Sequence, residues 1–394
     1  MLKKLAITAY EWANLCGRPA HLPPVLRALR GRTYPVLSDA QHLAGALDWL
    51  LRAQDISGDG VSAGYFFRRG WAPPYPETSG YIIPTLLRAA ALPGRTDLIE
   101  RAQRIGQWEI ELQLPSGAVR GGIGRKPHPI VFNTGQVILG WLALYRHFHQ
   151  DHFLAAATRA ADWLLEIQDA DGKWSAHTFM NRPRAYHSRV AWPLLELYAA
   201  TGYKKYYAAA RRNIAWVLDQ SRDDGWIDHM QLYPEVPPFT HTIAYTLRGL
   251  YEAAPYLDDA LAQAALSLVR QASKGLLANC PKGALPPATW GPGWRPCHTS
   301  SCLTGNAQLA LLWQRWKDRG EAGFAPTAQA WIEQLKGHQH LTARHPGLRG
   351  GLPGSSPLWG VYLPWAVPNW AAKFFADALL ENLLPPVPEP THFS

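Results

Sequence analysis

The stretch Phe132–Tyr145 of this 394-residue chain reads FNTGQVILGWLALY, in which a small polar start is followed by an almost entirely apolar run. A helix that is apolar on every side must be buried, so this stretch predicts an inner helix. Similar stretches recur, and their aligned small or polar residues follow one another at spacings of 55, 53, 53 and 64 residues. The related stretches are Glu77–Ala90, Tyr186–Ala200, Phe239–Ala254 and Cys302–Trp316, with a divergent copy at Pro364–Leu380.

A second repeated element closes amphipathic segments with a glutamine and a glycine-containing turn. Its best copy is Gln168–Trp174, QDADGKW, and the glutamines recur at spacings of 59, 55 and 52 residues. The four glutamines are Gln54, Gln113, Gln168 and Gln220. The segments before these turns carry apolar residues at helical spacing on one side only, which predicts outer, half-exposed helices. The alternation of outer and inner helices predicts an all-α fold, an (α/α)6 barrel or toroid of about six helical hairpins.

The repeat also predicts how the chain is divided. The length would allow two or three domains, but the repeat spans nearly all of it. We expect an N-terminal helical extension at residues 1–38, with short helices at Leu2–Cys16 and Pro23–Leu29. We expect one toroid domain at residues 39–384 and an extended C-terminal tail at residues 385–394.

Composition limits the class of protein. The chain is 47% hydrophobic, which excludes a disordered protein, and no apolar run approaches the ~20 residues that span a bilayer. Four cysteines and the lack of a recognisable signal peptide favour a cytoplasmic location. The net charge of +9 favours an acidic partner. Because the arginines are scattered and no nucleic-acid motif occurs, we expect an acidic carbohydrate and no nucleic acid.

Several of these motifs resemble known families. The turn Gln168–Trp174 is similar to the QW motif of terpenoid-cyclase and protein-prenyltransferase toroids. The six-pair layout is similar to the (α/α)6 barrels of glycoside hydrolases, polysaccharide lyases and sugar epimerases. The phrases YPETSGYIIPTLL, FNTGQVILGW and CLTGNAQLAL resemble toroid proteins encoded in bacterial exopolysaccharide clusters. The resemblance implies a toroid over about residues 39–382, and polysaccharide-assembly proteins as partners, but it does not imply one reaction.

Candidate catalytic residues come from the starts of the inner helices, which line one end of the cavity in such a barrel. Glu77 stands beside aromatic residues, and in a hydrolase it would be the general acid, with its pKa raised by those neighbours. Asp228 would be the second carboxylate, which activates water. In a lyase or epimerase, His187, His241 or Tyr186 would remove the C5 proton of an acidic sugar.

Other polar and aromatic residues at this end are candidates for substrate binding. Asn133 and Arg189 would neutralise a uronate carboxylate and so stabilise an enolate-like intermediate. Tryptophans in the loops, such as Trp174, Trp290 and Trp365, could stack on sugar rings. The predicted substrate-binding residues are Tyr81, Asn133, Gln136, Arg189, Tyr245, Asn306, Trp365 and Asn369.

A metal site is a further possibility. Cys297, His298 and Cys302 offer thiolate and imidazole groups, but their spacing is not that of a paired zinc knuckle, so we predict no metal and no cofactor.

The leading hypothesis is an enzyme that cleaves an acidic polysaccharide or oligosaccharide, as a hydrolase or a lyase. An isoprenoid-processing toroid is the alternative, although DxDD and DDxxD runs are absent. A non-catalytic sugar-binding component of a synthesis complex is the third.

Overall fold

The computed structural model describes residues 19–124 and 128–386. The α-helices are α1 (Leu22–Leu29), α2 (Asp39–Ser57), α3 (Pro76–Ala89), α4 (Asp97–Glu111), α5 (Val131–Phe148), α6 (Asp151–Glu166), α7 (Ser188–Thr201), α8 (Lys204–Asp219), α9 (Thr240–Ala253), α10 (Asp259–Asn279), α11 (Leu303–Arg315), α12 (Ala325–His338) and α13 (Asn369–Leu383). Short 3-10 helices lie at Pro19–His21, Phe179–Asn181, Ala185–His187, Ala254–Tyr256, Pro292–Trp294, Trp316–Arg319 and Ala322–Phe324. The strands are β1 (Gly64–Phe66), β2 (Gly70–Trp71), β3 (Trp290–Gly291), β4 (Arg295–Pro296), β5 (Ser301–Cys302), β6 (Ser355–Ser356) and β7 (Ala366–Pro368).

Six inner and six outer helices form a closed double ring. The inner helices α3, α5, α7, α9, α11 and α13 pack on one another in this order, and α13 returns to α3. Each of the first five inner helices packs on the outer helix that follows it, and α13 packs on α2. The predicted (α/α)6 barrel is therefore confirmed. The predicted helix Pro23–Leu29 is present as α1, whereas Leu2–Cys16 and residues 387–394 of the predicted tail lie outside the described residues.

The inner ring is tight because small residues stand where neighbouring inner helices meet. A Cβ placed on Gly80 of α3 would lie only 2.6 Å from the Cα of Val137 in α5. A Cβ on Gly305 of α11 would lie 2.5 Å from the backbone nitrogen of His241 in α9. The small residues of the repeat thus let backbones approach, and the apolar side chains around them, such as Ile138, are fully buried.

Three of the four glutamine turns join an outer helix to the next one. Nε2 of Gln168 donates to the carbonyl of Gly172 within its own turn at 2.8 Å and to that of Ala209 in α8 at 3.0 Å. Gln113 makes the same pair of bonds one repeat earlier. Gly172 has φ +92°, and a Cβ there would lie 2.5 Å from the backbone of Arg212, so only glycine fits. The turns are therefore structural joints of the outer ring.

The two ends of the barrel differ in their connections. Links from inner to outer helices are short, as at residues 149–150 and 202–203, whereas every link from an outer to an inner helix is long. The short strands lie within these long links, and β7 pairs antiparallel with β1, which holds the first link against the last. We call the end where the inner helices begin the mouth. Within the described residues, no helix is both long and apolar enough to cross a membrane.

Candidate active site

Glu77 lies in the first turn of α3, where Pro76 and the extended backbone of Tyr75 begin the helix at the mouth. Glu77 is half-buried, and its carboxyl accepts a hydrogen bond on Oε2 from the hydroxyl of Tyr75. Burial raises the pKa of Glu77 to about 7, although the Tyr75 hydrogen bond and the nearby Arg189 guanidinium both act to lower it. Glu77 can therefore either give up or take a proton near neutral pH.

Three further tyrosines surround this carboxyl. The hydroxyl of Tyr245 donates to that of Tyr81 across the ring at 3.3 Å. Phe132 stands between Tyr186 and Tyr245, with ring centroids 5.2 and 5.0 Å away. Burial raises the pKa of all three tyrosines, and the charge of Glu77 raises them further. These hydroxyls thus remain protonated and can serve as hydrogen-bond donors.

Arg189 forms the floor of this site on the barrel axis. Its side chain is 3% exposed, and its Nε donates to Oε1 of Gln136 at 3.0 Å. The guanidinium carbon lies 4.9 Å from the ring centroid of Tyr245 and 5.9 Å from that of Tyr81. Arg189 makes no salt bridge to any described residue. An unpaired cation in a largely desolvated, aromatic setting is suited to an anionic group of a ligand.

His241 forms a second side of the site. The amide of Gln308 lies 2.6 Å from its Nδ1, and its ring lies 4.2 Å from Tyr245 and 5.3 Å from Tyr362. Burial, with a smaller effect of the Arg189 charge, lowers the pKa of His241 to about 3, so the ring is neutral. The hydroxyl of Tyr362 accepts a hydrogen bond from Trp370 Nε1 at 2.8 Å.

A layer of paired charged side chains lies on the barrel axis, on the side of Arg189 that is farther from the mouth. Lys373 Nζ lies 2.5 Å from Asp377, which also accepts from the Thr85 hydroxyl at 2.7 Å. Desolvation lowers the pKa of Lys373 to about 8. Farther from the mouth, Arg248 and Arg315 both pair with the same acidic residue of α9, Glu252. The far end of the ring is thereby filled by ion pairs, and the open polar groups lie at the mouth.

Two predicted catalytic residues lie elsewhere. His187 is 1% exposed and packs between Trp174 and Tyr186, with no hydrogen-bond partner in the described residues for either ring nitrogen. Burial lowers its pKa to about 3. Asp228 pairs with Arg222 at 2.7 Å, and its side chain is 41% exposed. Among the described residues, neither side chain contacts Glu77: His187 is enclosed by Trp174, Tyr186 and Phe132, and Asp228 stays on the surface of its turn.

Three predicted substrate-binding amides hold loops in place. Asn133 Nδ2 donates to the carbonyl of Arg120, and Asn306 Nδ2 to that of Pro286, each at 3.3 Å. Asn369 Nδ2 bonds Ser62 and Thr78. These asparagines fix the long links against the inner helices. Each of the three Nδ2 groups is therefore engaged within the protein.

The tryptophans of the long links divide into two groups. Trp174 and Trp290 are fully buried, and their Nε1 groups donate within the protein, to Leu164 and to Thr240. Their predicted availability for sugar stacking is therefore wrong. Trp365 is half-buried in the last link, with its ring centroid 5.9 Å from that of Trp359. This pair belongs to the rim of the mouth.

The cysteines of the link between α10 and α11 do not form a cluster. Cys297 and His298 line a cavity of about 610 Å³ between this link and α12, whereas Cys302 is buried and accepts a hydrogen bond from the Gly305 backbone at 3.4 Å. Burial raises the pKa of the Cys302 thiol to about 12. Across residues 19–124 and 128–386, no three His, Cys, Asp or Glu side chains form a group suited to a metal ion.

Sequence reasoning found part of this site. Glu77, Tyr81, Gln136, Tyr186, Arg189, His241 and Tyr245 are brought together as a group. It did not assign roles to Tyr75, Tyr362 and Trp370. Tyr75 was detectable, because it precedes a helix-start glutamate by two residues. Tyr362 comes from a long irregular link, for which the helical repeat gives no signal.

Comparisons with known proteins agree on the fold. A protein-family model described as the squalene-hopene cyclase C-terminal domain matches residues 72–254, less than half of the chain. No curated protein is significantly similar in sequence. The match places an α/α toroid pattern over the first four inner helices.

Solved structures similar to this chain are also toroids. A sugar epimerase from a ruminal bacterium has a TM-score of 0.69 at 12% identity, over 88% of this chain and 98% of that one. An unsaturated glucuronyl hydrolase from Bacillus sp. GL1, described as responsible for the degradation of glycosaminoglycan, has a TM-score of 0.67 at 16% identity, over 87% and 96%. A second such hydrolase, from Streptococcus agalactiae, has a TM-score of 0.64 at 15% identity, over 89% and 93%. The chain has the α/α-toroid fold.

Proposed function

We propose that this protein is an enzyme that cleaves an acidic polysaccharide or oligosaccharide at the mouth of the barrel. The observation that carries the proposal is the Glu77 carboxyl, which is half-buried among tyrosines with a pKa of about 7 above an unpaired arginine. A proton-transfer group poised near neutral pH beside a cationic floor is suited to a uronate substrate. The glucuronyl hydrolases among the similar structures support this substrate class.

Of the two forms of cleavage, elimination fits the geometry better. Hydrolysis by two carboxylates needs a second acid at about 5–9.5 Å, and Asp228 is held by Arg222 instead. In an elimination, the Glu77 carboxylate takes the C5 proton, and the electron pair left on C5 is delocalised into the substrate carboxylate as an enolate. This pair forms the C4–C5 double bond as the C4–O bond breaks. The Tyr75 hydroxyl gives its proton to the leaving oxygen and regains one from the protonated Glu77, to which it is hydrogen-bonded. Arg189 stabilises the negative charge that develops on the substrate carboxylate.

Cleavage assays with uronate-rich oligosaccharides test this assignment. Elimination creates an unsaturated uronate that absorbs in the near ultraviolet, whereas hydrolysis creates only new reducing ends. Glu77→Gln should lower the rate about 10²–10⁴-fold in either case. The matched control is Glu235→Gln, because Glu235 is an exposed acid in a long link. Full activity of Glu77→Gln would reject the assignment, and reducing ends without absorbance would establish hydrolysis.

An isoprenoid-processing toroid is a second candidate, and the cyclase-domain match over residues 72–254 favours it. Aromatic rings such as Tyr81, Tyr245 and Phe374 around the axis could stabilise a carbocation by cation–π contacts. The sequence lacks the DxDD and DDxxD runs that would start such a reaction. Turnover of polyprenyl substrates without turnover of uronate oligosaccharides would favour this candidate.

We further propose a cytoplasmic role in exopolysaccharide or cell-surface polysaccharide metabolism, next to polysaccharide-assembly proteins. Support comes from the sequence phrases that resemble toroids of exopolysaccharide clusters. Binding of acidic oligosaccharide without any turnover, unchanged in Glu77→Gln, would instead indicate a non-catalytic sugar-binding component of such an assembly.

A further inference from the structure

The links that frame the mouth have an unusual distribution of charge. We define the mouth loops as the parts of the long links beyond the glutamine turns. They are residues 61–75, 118–124 with 128–130, 175–187, 227–239, 284–302 and 339–368. Five of the six contain Lys or Arg and no Asp or Glu, and only 227–239 is acidic, through Asp228 and Glu235.

Exposed arginines occur in four different mouth loops. Arg69, Arg182, Arg295 and Arg344 are each exposed, and none makes a salt bridge with a described residue. Arg184 differs, because it is buried and donates to the carbonyls of Gln231 and Leu232, which is a structural role. Within the part of the chain that the structure describes, the four exposed arginines have no such internal partners and remain available to a ligand.

The opposite end of the barrel is balanced in charge. Arg95 pairs there with Asp97 at 3.3 Å, and the link at residues 316–324 carries two basic and two acidic residues. Net positive charge is therefore concentrated at the end that holds Glu77. A surface of one sign around a cleft attracts ligands of the opposite sign over a distance of about a Debye length.

The spacing of these loops sets the size of the ligand. Adjacent helices pack with axes about 8–10 Å apart, so loops on opposite sides of a six-helix ring are at least about 16 Å apart. A monosaccharide cannot contact arginines from several mouth loops at once. We propose that the mouth loops bind an extended acidic polysaccharide chain that carries several charges. One sugar unit of this chain would then lie at Glu77. This proposal rests on the proposed function and specifies its substrate as a polymer.

Binding to polygalacturonate, with neutral dextran and double-stranded DNA as comparison polymers, tests the docking. It is measured in the full-length Glu77→Gln protein, so that cleavage does not interfere. The double variant Arg69→Ala/Arg182→Ala should slow association with polygalacturonate about tenfold at low salt, and the difference should vanish near 1 M salt. The control is Lys204→Ala/Lys317→Ala, which removes two exposed charges from the opposite end. The control should bind like the parent protein.

Each outcome bears on the proposal. Equal weakening by both double variants would overturn it, because net charge alone would then explain binding. Binding to DNA that is as tight and as sensitive to Arg69 and Arg182 would overturn the choice of a polysaccharide. If docking fails while short acidic oligosaccharides are still cleaved in a Glu77-dependent way, only the docking surface is wrong. If docking holds and no cleavage occurs, the proposed function is wrong and the docking surface stands.

Discussion

The hydroxyl of Tyr75 donates a hydrogen bond to Oε2 of Glu77, two residues along the chain and at the mouth of the barrel. The extended backbone of Tyr75 and the first turn of α3 place the two groups together. This bond leaves Oε1 as the carboxyl oxygen that is open to a substrate. It also stabilises the charged form of Glu77, and so it offsets part of the effect of burial on the pKa.

The first prediction concerns Tyr75→Phe. Loss of the hydrogen bond should raise the pKa of Glu77 above about 7, and loss of the hydroxyl that protonates the leaving oxygen should also lower the maximal rate. If Glu77 acts as a base, its active carboxylate form then appears at higher pH, and the rise of kcat/KM with pH moves upward. If Glu77 acts as an acid, the fall of kcat/KM at high pH moves upward instead. Rate–pH profiles distinguish these cases, with Tyr203→Phe at an exposed site as control. An unmoved profile would contradict the assigned role of the hydrogen bond.

The second prediction concerns Arg189. Arg189→Lys keeps a positive charge but loses the Nε bond to Gln136 and the planar fork of the guanidinium. Because hydrogen bonds to charged groups contribute about 1.5–3 kcal/mol, KM for an acidic oligosaccharide should rise roughly 10–100-fold. KM for a carboxyl-reduced analogue should change little. Arg248→Lys, below the floor of the site, is the control. A similar loss with both substrates would indicate damage to the fold and no carboxylate contact.

The third prediction concerns the glutamine turns. Gln168→Leu removes hydrogen bonds to the carbonyls of Gly172 and Ala209. The second of these bonds joins the turn after α6 to α8. The variant should lower the free energy of unfolding by about 1–3 kcal/mol, measured by urea denaturation. Gln220→Leu should cost less, because among the described residues the Gln220 side chain donates to Trp216 of its own helix and to no neighbouring outer helix. Equal costs would argue against the tie between outer helices.

The fourth prediction separates backbone strain from crowding. Gly172 and Gly202 both have positive φ, at +92° and +73°. A Cβ on Gly172 would meet the backbone of Arg212, whereas a Cβ on Gly202 would meet nothing within 4 Å. Gly202→Ala should therefore cost about 1 kcal/mol of unfolding free energy, and Gly172→Ala clearly more. Thermal denaturation of the two variants, compared with the parent protein, gives the difference directly.

The fifth prediction concerns a buried acid of the outer ring. Glu109 in α4 is fully buried, and neither carboxyl oxygen has a hydrogen-bond partner in the described residues. Burial raises its pKa well above the ordinary value, against a smaller opposing effect of the Arg120 charge.

Because the folded state keeps this proton when the unfolded state has lost it, stability should fall as the pH rises above about 4.5. The slope from this one group is at most about 1.4 kcal/mol for each pH unit. Glu109→Gln should flatten the slope in urea denaturation at several pH values, and Glu100→Gln, at an exposed site on the same helix, should not. An unchanged slope in Glu109→Gln would mean that Glu109 ionises normally in the folded protein.

The sequence by itself determined the fold, because the two repeated elements are local. Apolar runs such as Phe132–Tyr145 can only be buried, and turns such as Gln168–Trp174 end each amphipathic helix. It also predicted Glu77 and Arg189 as candidate site residues, since polar residues at the start of an apolar helix have no packing reason to be there.

Only the tertiary structure decided which of those polar residues meet. His187 and Arg189 are two residues apart, and such a step turns a helical side chain by about 200°, so Arg189 reaches Gln136 and Tyr245 whereas His187 packs against Trp174. Tyr362 packs against His241, and it belongs to an irregular link of 30 residues. Such a link has no periodic sequence pattern from which this contact could be predicted. The sequence specifies the ring through repeating local patterns. Which residues line its mouth depends on the long links. The paths of these links are fixed only by contacts between residues that are far apart in the chain.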